Sequence, residues 1–111
     1  MNHPTTPPLR SEFADDPDMA EIIAEFVSEL PDRARAIESS FREGENETLK
    51  RLAHQLAGAS AGYGFPDLGR KARELEHAIL NLAAQAHAEQ TERVRSLVDS
   101  LTAMCRNGAG Q

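Results

Sequence analysis

A chain of 111 residues, 40% of them hydrophobic, is long enough for one hydrophobic core and too short for two domains. Aromatic residues make up only 5% of the chain and tryptophan is absent, so the core must consist of aliphatic side chains and alanine, which favours helices over strands. The formal net charge of −6 argues against a nucleic-acid-binding protein, which needs a basic face to neutralise phosphates.

Two other classes of protein are excluded by single features. The only cysteine, Cys105, has no second cysteine with which to form a disulfide or a thiolate zinc site, so we interpret it as a small apolar residue of the last helix. No run of ~18 apolar residues occurs that could span a membrane, and the first residues lack the apolar centre of a signal peptide. We therefore expect a cytoplasmic protein that binds neither membranes nor nucleic acids.

The first predicted elements in chain order are a tail and a helix. Residues 1–11 contain three prolines, and we expect them to form a flexible N-terminal tail. Asp16 and Pro17 offer an N-cap and a first helical residue, and apolar residues follow at helical spacing up to Leu30. Pro31 is predicted to end this helix, because proline disfavours helical geometry in the residue before it.

Four more helices are predicted, with boundaries at glycine and proline. The second helix begins at Pro31 and stops at Gly44. The third begins at a capping Asn46 and ends just before Gly64, which we expect to be its left-handed terminator, and Pro66 opens the fourth. The fourth and fifth helices have apolar faces with a spacing of three and four residues: Leu68, Ala72, Leu75, Ile79 and Leu82 in the fourth, and Val94, Leu97, Val98, Leu101 and Met104 in the fifth.

Short connections between helices favour antiparallel neighbours. The predicted fold is therefore all-α: an antiparallel up-down four-helix bundle over residues 12–106, in which the first helix is an additional N-terminal helix that covers one end. Residues 107–111 are expected to form a disordered C-terminal tail. We expect a monomer.

The third helix carries an outward-facing histidine, His54. The apolar stripe of this helix lies on the other side: Leu49, Leu52, Leu56, Ala59 and Tyr63. Gly58, one turn after the histidine, costs about 1 kcal/mol relative to alanine in a helix, and a solvent-facing position gains nothing from it in packing. We interpret Ala57, Gly58 and Ala61 as small residues that let a partner bring a reactive group to the imidazole, which makes His54 a candidate nucleophile.

Residues 53–76, AHQLAGASAGYGFPDLGRKARELE, resemble the signature of histidine-containing phosphotransfer (HPt) domains. The matching residues are His54, Leu56, Gly58, Ala59, Ser60, Gly64, Leu68, Leu75 and Glu76. The resemblance implies that His54 accepts a phosphoryl group from the aspartyl phosphate of a receiver domain and passes it to another receiver. The receiver, part of a response regulator or a hybrid histidine kinase, would supply Mg²⁺. The chain itself would need no cofactor and would have no ATP-dependent activity, in line with the absence of a nucleotide-binding motif.

One position departs from the family pattern, which has a lysine three residues after the histidine. This chain has Ala57 there. Lys50 and Arg51, one turn before the histidine, are candidates to supply the missing charge, and are equally plausible as ordinary solvated residues. Three cations at the start of the fourth helix are candidates for attracting an acidic receiver, or for a solvated face: Arg70, Lys71 and Arg73.

Two hypotheses therefore stay open. In the first, the protein is a phosphotransfer protein that is phosphorylated on His54. In the second, it is a non-catalytic helical module that docks and sequesters a receiver domain, for which the alanine at position 57 is the main argument. We interpret His3, His77 and His87 as incidental. No two histidines have the i, i+4 spacing of a helical metal site, so we expect no metal.

Overall fold

The computed structural model describes residues 10–84 and 88–109, and the regular secondary structure of these residues is entirely helical. The four helices are α1 (Ala20–Arg42), α2 (Asn46–Gly62), α3 (Pro66–Ala84) and α4 (Ala88–Ala109). α1 and α3 each pack against both α2 and α4, so the helices surround one core, and the predicted all-α four-helix fold is confirmed. None of these helices, as far as they are described, is long and apolar enough to cross a membrane.

The core of the bundle is aliphatic, as the composition predicted. Fully buried leucines come from all four helices: Leu30, Leu49, Leu56, Leu68, Leu75 and Leu101. Burying a leucine side chain stabilises a fold by about 1.5–3 kcal/mol. The ring centroid of Phe26 lies 4.9 Å from that of Tyr63 and 5.6 Å from that of Phe65, at the end of the bundle where α2 meets α3. The interpretation of Cys105 as a core residue is confirmed, since its thiol is fully buried and burial raises its pKa to about 12.

The predicted break at Pro31 is wrong, because α1 runs through this residue. The two helices expected on either side of it are one helix, and the described residues contain no separate N-terminal covering helix. A proline inside a helix removes one backbone hydrogen bond and costs about 3 kcal/mol. Leu30 and Ala34 flank it and are fully buried, and the packing of this face keeps the chain helical in spite of that cost.

Two predicted helix caps are also wrong, whereas one predicted boundary is right. Asn46 is the first residue of α2, and no side chain caps this helix. α1 begins at Ala20, so Asp16 stabilises the turn before it instead: its carboxylate accepts a hydrogen bond from the backbone N–H of Asp18 at 2.9 Å. Pro66 is the first residue of α3, as predicted.

The chain before α1 packs against the turn between α2 and α3. The Ser11 hydroxyl donates a hydrogen bond to the carbonyl of Tyr63 at 2.6 Å, and the N–H of Glu12 donates one to the carbonyl of Gly64 at 2.7 Å. Gly64 has the predicted left-handed backbone, with φ of 85°, and Gly44 has φ of 72°. A Cβ at Gly64 would lie 2.6 Å from the Ser11 hydroxyl oxygen. Both the left-handed backbone and this close contact therefore require glycine there. The packed domain therefore begins inside the predicted tail.

Several sequence predictions fall outside the described residues. These are residues 1–9 of the predicted tail with His3, residues 85–87 with His87, and the last two residues of the chain. α4 continues to Ala109, through residues that were predicted to form a disordered tail.

A bidentate ion pair joins α1 to α4 on the surface of the bundle. The Arg106 guanidinium donates hydrogen bonds to the two carboxylate oxygens of Glu38 at 2.5 Å and 2.8 Å. This hydrogen bonding lowers the pKa of Glu38 and raises the pKa of Arg106, although desolvation acts against both shifts. Side-chain contacts on the surface thus supplement the core in holding these two helices together.

Candidate functional site: an exposed histidine on α2

His54 lies in the middle of α2 and faces away from the core, as predicted. Its side chain is 73% exposed to solvent. The buried residues of this helix lie on the other side: Leu49, Ala53, Leu56, Ala57 and Ser60. At 100° per residue, position 54 lies about 120° around the helix axis from the centre of that buried face.

The imidazole has a polar partner that the sequence prediction missed. Nδ1 of His54 lies 3.0 Å from Oε2 of Glu76, a half-buried residue of α3. Glu76 was recognised only as part of the family signature, and no role was assigned to it. The match of Glu76 to the family signature was the available signal. A contact between two residues that lie 22 positions apart on different helices is not visible in a single sequence.

The carboxylate of Glu76 determines which ring nitrogen keeps its lone pair. A neutral imidazole carries one N–H and one lone pair, and an ionised carboxylate can only accept a hydrogen bond. The contact therefore assigns the hydrogen to Nδ1 and leaves the lone pair on Nε2, which has no hydrogen-bond partner among the described residues. The pair is not part of a metal cluster, since no three His, Cys, Asp or Glu side chains of the described residues are grouped to hold an ion.

The surface beside His54 consists of small residues, although not of the three that were predicted. Gly58 and Ala61 are exposed, and apart from the backbone of the helix itself no atom of the described residues lies within 4 Å of the position of a Cβ at Gly58. Gly62 is exposed in the same way, and we call Gly58, Ala61 and Gly62 the clearing. Ala57 is only 3% exposed, so the prediction that it belongs to this surface is wrong. Its position lies between the histidine and the apolar stripe, on the side covered by α3.

Gly69 of α3 lies at the point where α3 approaches α2 closely. A Cβ at Gly69 would lie 3.3 Å from the carbonyl oxygen of Ala57 and 3.4 Å from the Cβ of Ser60. A Cβ here would be tightly packed and would push the helices apart by a few tenths of an ångström, so the absence of a side chain allows this distance. The contacts at Gly69 and Glu76 fix the register of an antiparallel pair, with position 69 opposite position 60 and position 76 opposite position 54.

The predicted cationic residues differ in their surroundings. Three of them pair with an acidic residue three positions away on the same helix: Lys50 with Glu47 at 3.4 Å, Arg70 with Asp67 at 2.6 Å, and Lys71 with Glu74 at 3.5 Å. Arg51 and Arg73 are exposed and form no ion pair with the described residues. Arg70 lies about 9 Å along α3 from the residue that contacts the histidine, and Lys71 lies about 140° around the helix from it, so the fold does not bring this pair to the imidazole.

Comparison with known proteins identifies the family. A model of the Hpt domain family matches residues 21–106, which include His54 and Glu76 and reach into all four helices. The search of curated proteins and the search of solved structures each found no significant match. Because the family match covers well over half of its 111 residues, the chain belongs to the Hpt domain family, the phosphotransfer modules of two-component signalling.

Proposed function

We propose that His54 is the phosphoacceptor of this Hpt domain, taking a phosphoryl group from the aspartyl phosphate of one receiver domain and passing it to the aspartate of another. The observation that carries the proposal is the contact of Nδ1 with Glu76 at 3.0 Å on a side chain that is 73% exposed. An imidazole held by one nitrogen and open at the other is suited to attack a phosphorus atom that a second protein presents.

The transfer step follows from this arrangement. The lone pair of Nε2 attacks phosphorus, a bond forms between Nε2 and phosphorus, and the bond between phosphorus and the aspartate oxygen breaks. The aspartate leaves as a carboxylate with the bonding electrons. The imidazole keeps its hydrogen on Nδ1 and becomes cationic, and the Glu76 carboxylate, which accepts that hydrogen bond, stabilises the new charge. The reverse sequence delivers the phosphoryl group to the next receiver.

The charge on the transferring phosphoryl group must be balanced largely by the partner. Helical side chains lean towards the N-terminus of their helix, so Lys50 and Arg51 lean away from His54. The residues of α2 that follow the histidine and lean towards it are uncharged: Ala57 is buried and Gly58 has no side chain. The receiver's Mg²⁺ would supply the neutralising charge, so the Hpt domain provides a placed nucleophile and a surface for docking.

The alternative function is a module that docks a receiver domain without accepting phosphate. The uncharged residue at position 57 favours it. The contact between His54 and Glu76 favours transfer instead, because docking alone does not require an imidazole held in one tautomer. Phosphorylation of His54 distinguishes the two functions.

The test is incubation with a phosphorylated receiver domain from the same cell. We expect an acid-labile, base-stable phosphoryl group on the wild type and none on His54→Gln. His77→Gln is the matched control, because His77 is also exposed but lies on α3 without a hydrogen-bond partner among the described residues, and it should be labelled like the wild type. Labelling that persists in His54→Gln would contradict the proposal.

A further inference from the structure

Leu80 is an exposed large hydrophobic residue of α3. Its exposed fraction, 48%, exceeds those of the other two large hydrophobic residues that are exposed in the described part of the chain, Ile22 at 42% and Phe13 at 38%. A single exposed leucine is common on protein surfaces and needs no explanation by itself. Its position is informative, because Leu80 lies one turn after Glu76 on the same face of α3.

The direction of helical side chains places Leu80 beside Glu76. Because these side chains lean towards the N-terminus of their helix, Leu80 covers the surface beside Glu76, whose carboxylate contacts His54. The antiparallel register agrees, since position 76 lies opposite position 54 and position 80 therefore lies opposite position 50. Leu80 thus lies on the α3 side of the histidine, and the clearing lies beyond the histidine in the other direction along α2.

The charge of this part of the chain also differs from the rest. Residues 46–84, which form α2 and α3, contain five Lys and Arg and four Asp and Glu, whereas the whole chain has a net charge of −6. Arg51 and Arg73 are exposed here and form no ion pair with the described residues. The acidic excess lies in residues 10–45, which contain eleven Asp and Glu and four Lys and Arg, whereas α4 contains three of each. A partner with an acidic face is therefore repelled less by α2 and α3 than by α1 and the chain before it.

We propose that Leu80 is the apolar anchor of the receiver-docking surface, and that the receiver covers α2 and α3 with Arg51 and Arg73 at the rim of the contact. The inference rests on the proposed function and adds which side of the histidine the partner covers. A receiver has the required chemistry, because a site that holds Mg²⁺ and an aspartyl phosphate is lined with carboxylates. A buried apolar contact inside a polar rim is the usual arrangement of an interface that carries binding energy.

The surface around Leu80 includes Glu76, which contacts His54, and this supports a receiver domain as its partner. Any protein that brings phosphorus to Nε2 of His54 must cover the surface around it, and Leu80 belongs to that surface. Ile22 does not, although it is exposed to a similar degree. It lies one turn before Phe26, which stacks on Tyr63 about 14 Å along α2 from the histidine.

The experiment compares Leu80→Glu with Ile22→Glu, the same chemical change at two exposed positions. The substrate is the phosphorylated receiver domain that transfers fastest to the wild type, and the rate is measured over a range of receiver concentrations. We expect Leu80→Glu to raise the half-saturating concentration at least about tenfold, because a carboxylate replaces the anchor against an acidic surface. Ile22→Glu should change it less than about twofold, and Leu80→Ala should give an intermediate loss.

A small phosphodonor separates docking from chemistry. Phosphoramidate needs no docking surface, and it should label wild type, Leu80→Glu and Ile22→Glu at the same rate. If Leu80→Glu and the wild type have the same half-saturating receiver concentration, Leu80 is not the anchor, and the proposed function is unaffected. A loss confined to Ile22→Glu would also overturn it, since the receiver would then lean towards α1. Labelling of His54→Gln by the phosphorylated receiver would instead contradict the proposed function.

Discussion

The helix pairs on opposite sides of the bundle are held together in different ways. α1 and α4 are joined across their surface by long side chains: Arg106 binds both carboxylate oxygens of Glu38, and the guanidinium of Arg95 lies 5.4 Å from the ring centroid of Phe41. α2 and α3 instead approach each other at a glycine, Gly69, and the outer surface of α2 consists of small residues beside the histidine.

This difference indicates how an Hpt domain can be rigid and open at the same point. Long bridging side chains stabilise a helix pair, but they also cover its surface. Close contact at Gly69 positions α3 without covering the outer surface of α2. Glu76 of α3 therefore orients the imidazole through Nδ1, and the rest of the ring is open to a partner from the solvent side. We therefore expect changes at Gly69 of α3 to lower stability and changes at Gly58 of α2 to weaken docking, whereas changes between α1 and α4 should affect stability alone.

The largest expected effect on stability is that of Gly69→Leu. The new side chain would meet the backbone of α2 at Ala57, and overpacking of this kind costs about 1–3 kcal/mol of the free energy of unfolding. Urea unfolding followed by circular dichroism measures the loss. Gly58→Leu is the control, since a Cβ there has open space, and it should keep or raise stability by up to about 1 kcal/mol through helix propensity. Equal urea midpoints for the wild type and Gly69→Leu would show that stability does not require the close approach of α3 to α2 at this position.

Glu76→Ala should leave the fold intact and slow transfer to His54 by roughly 10–100-fold, because the ring loses both its orientation and the carboxylate that stabilises its positive charge. Nitrogen NMR of the imidazole gives a second readout: one tautomer, with the hydrogen on Nδ1, in the wild type and a mixture in the variant. Glu74→Ala is the control on the same helix, because Glu74 pairs with Lys71 instead. Unchanged transfer and an unchanged tautomer in Glu76→Ala would remove this residue from the mechanism.

Gly58→Gln should weaken docking by about tenfold without unfolding the protein, because a long side chain then occupies the clearing. The measurement is the half-saturating receiver concentration for transfer. Ala103→Gln places the same side chain at an exposed position of α4 and should have no effect. If both variants transfer like the wild type, the small residues near the histidine have no role in recognition, and the openness of this helix pair is incidental.

Local features of the sequence predicted much of the fold and the place of the exposed histidine. Glycines and prolines gave the connections between α1, α2 and α3, since a left-handed backbone at Gly44 and Gly64 is a property of those residues themselves. The helical period predicted that His54 faces away from the core. Pro31 was misjudged for the opposite reason: its local preference is to break the helix, and burial of the neighbouring turns overrides that preference.

The remainder of the site depends on contacts between helices, which the sequence does not specify locally. Ala57 was assigned to the exposed surface because its spacing from His54 allows it, and only the side on which α3 packs makes it buried. Glu76 and Leu80 acquire their places from the register of α2 against α3. The close approach of the two helices in this register occurs at Gly69, where a side chain is absent. One sequence shows this glycine but not what lies opposite it.

The smallest expected effect concerns the other side of the comparison, the ion pair between α1 and α4. Glu38→Gln should lower the free energy of unfolding near pH 7 by about 0.5–1 kcal/mol, a modest loss because both side chains are partly exposed and solvent screens their attraction. The difference from the wild type should be smaller at high salt. Transfer to His54 should not change, since the pair lies on the side of the bundle away from α2 and α3.

The pH dependence of this loss has a definite sign. Hydrogen bonding to Arg106 lowers the pKa of Glu38 from its ordinary value of 4.5, so the folded protein binds the proton less readily than the unfolded chain does. The stabilisation is therefore fully present above about pH 4.5, and it disappears as the pH falls through the lowered pKa and the carboxylate is neutralised. Wild type and Glu38→Gln should accordingly converge in stability below that range. Glu92→Gln, which removes a pair formed within α4 alone, should differ from the wild type by less than about 0.5 kcal/mol at any pH. A loss in Glu38→Gln that persists unchanged in acid would mean that packing of the side chain, and not its charge, joins α1 to α4.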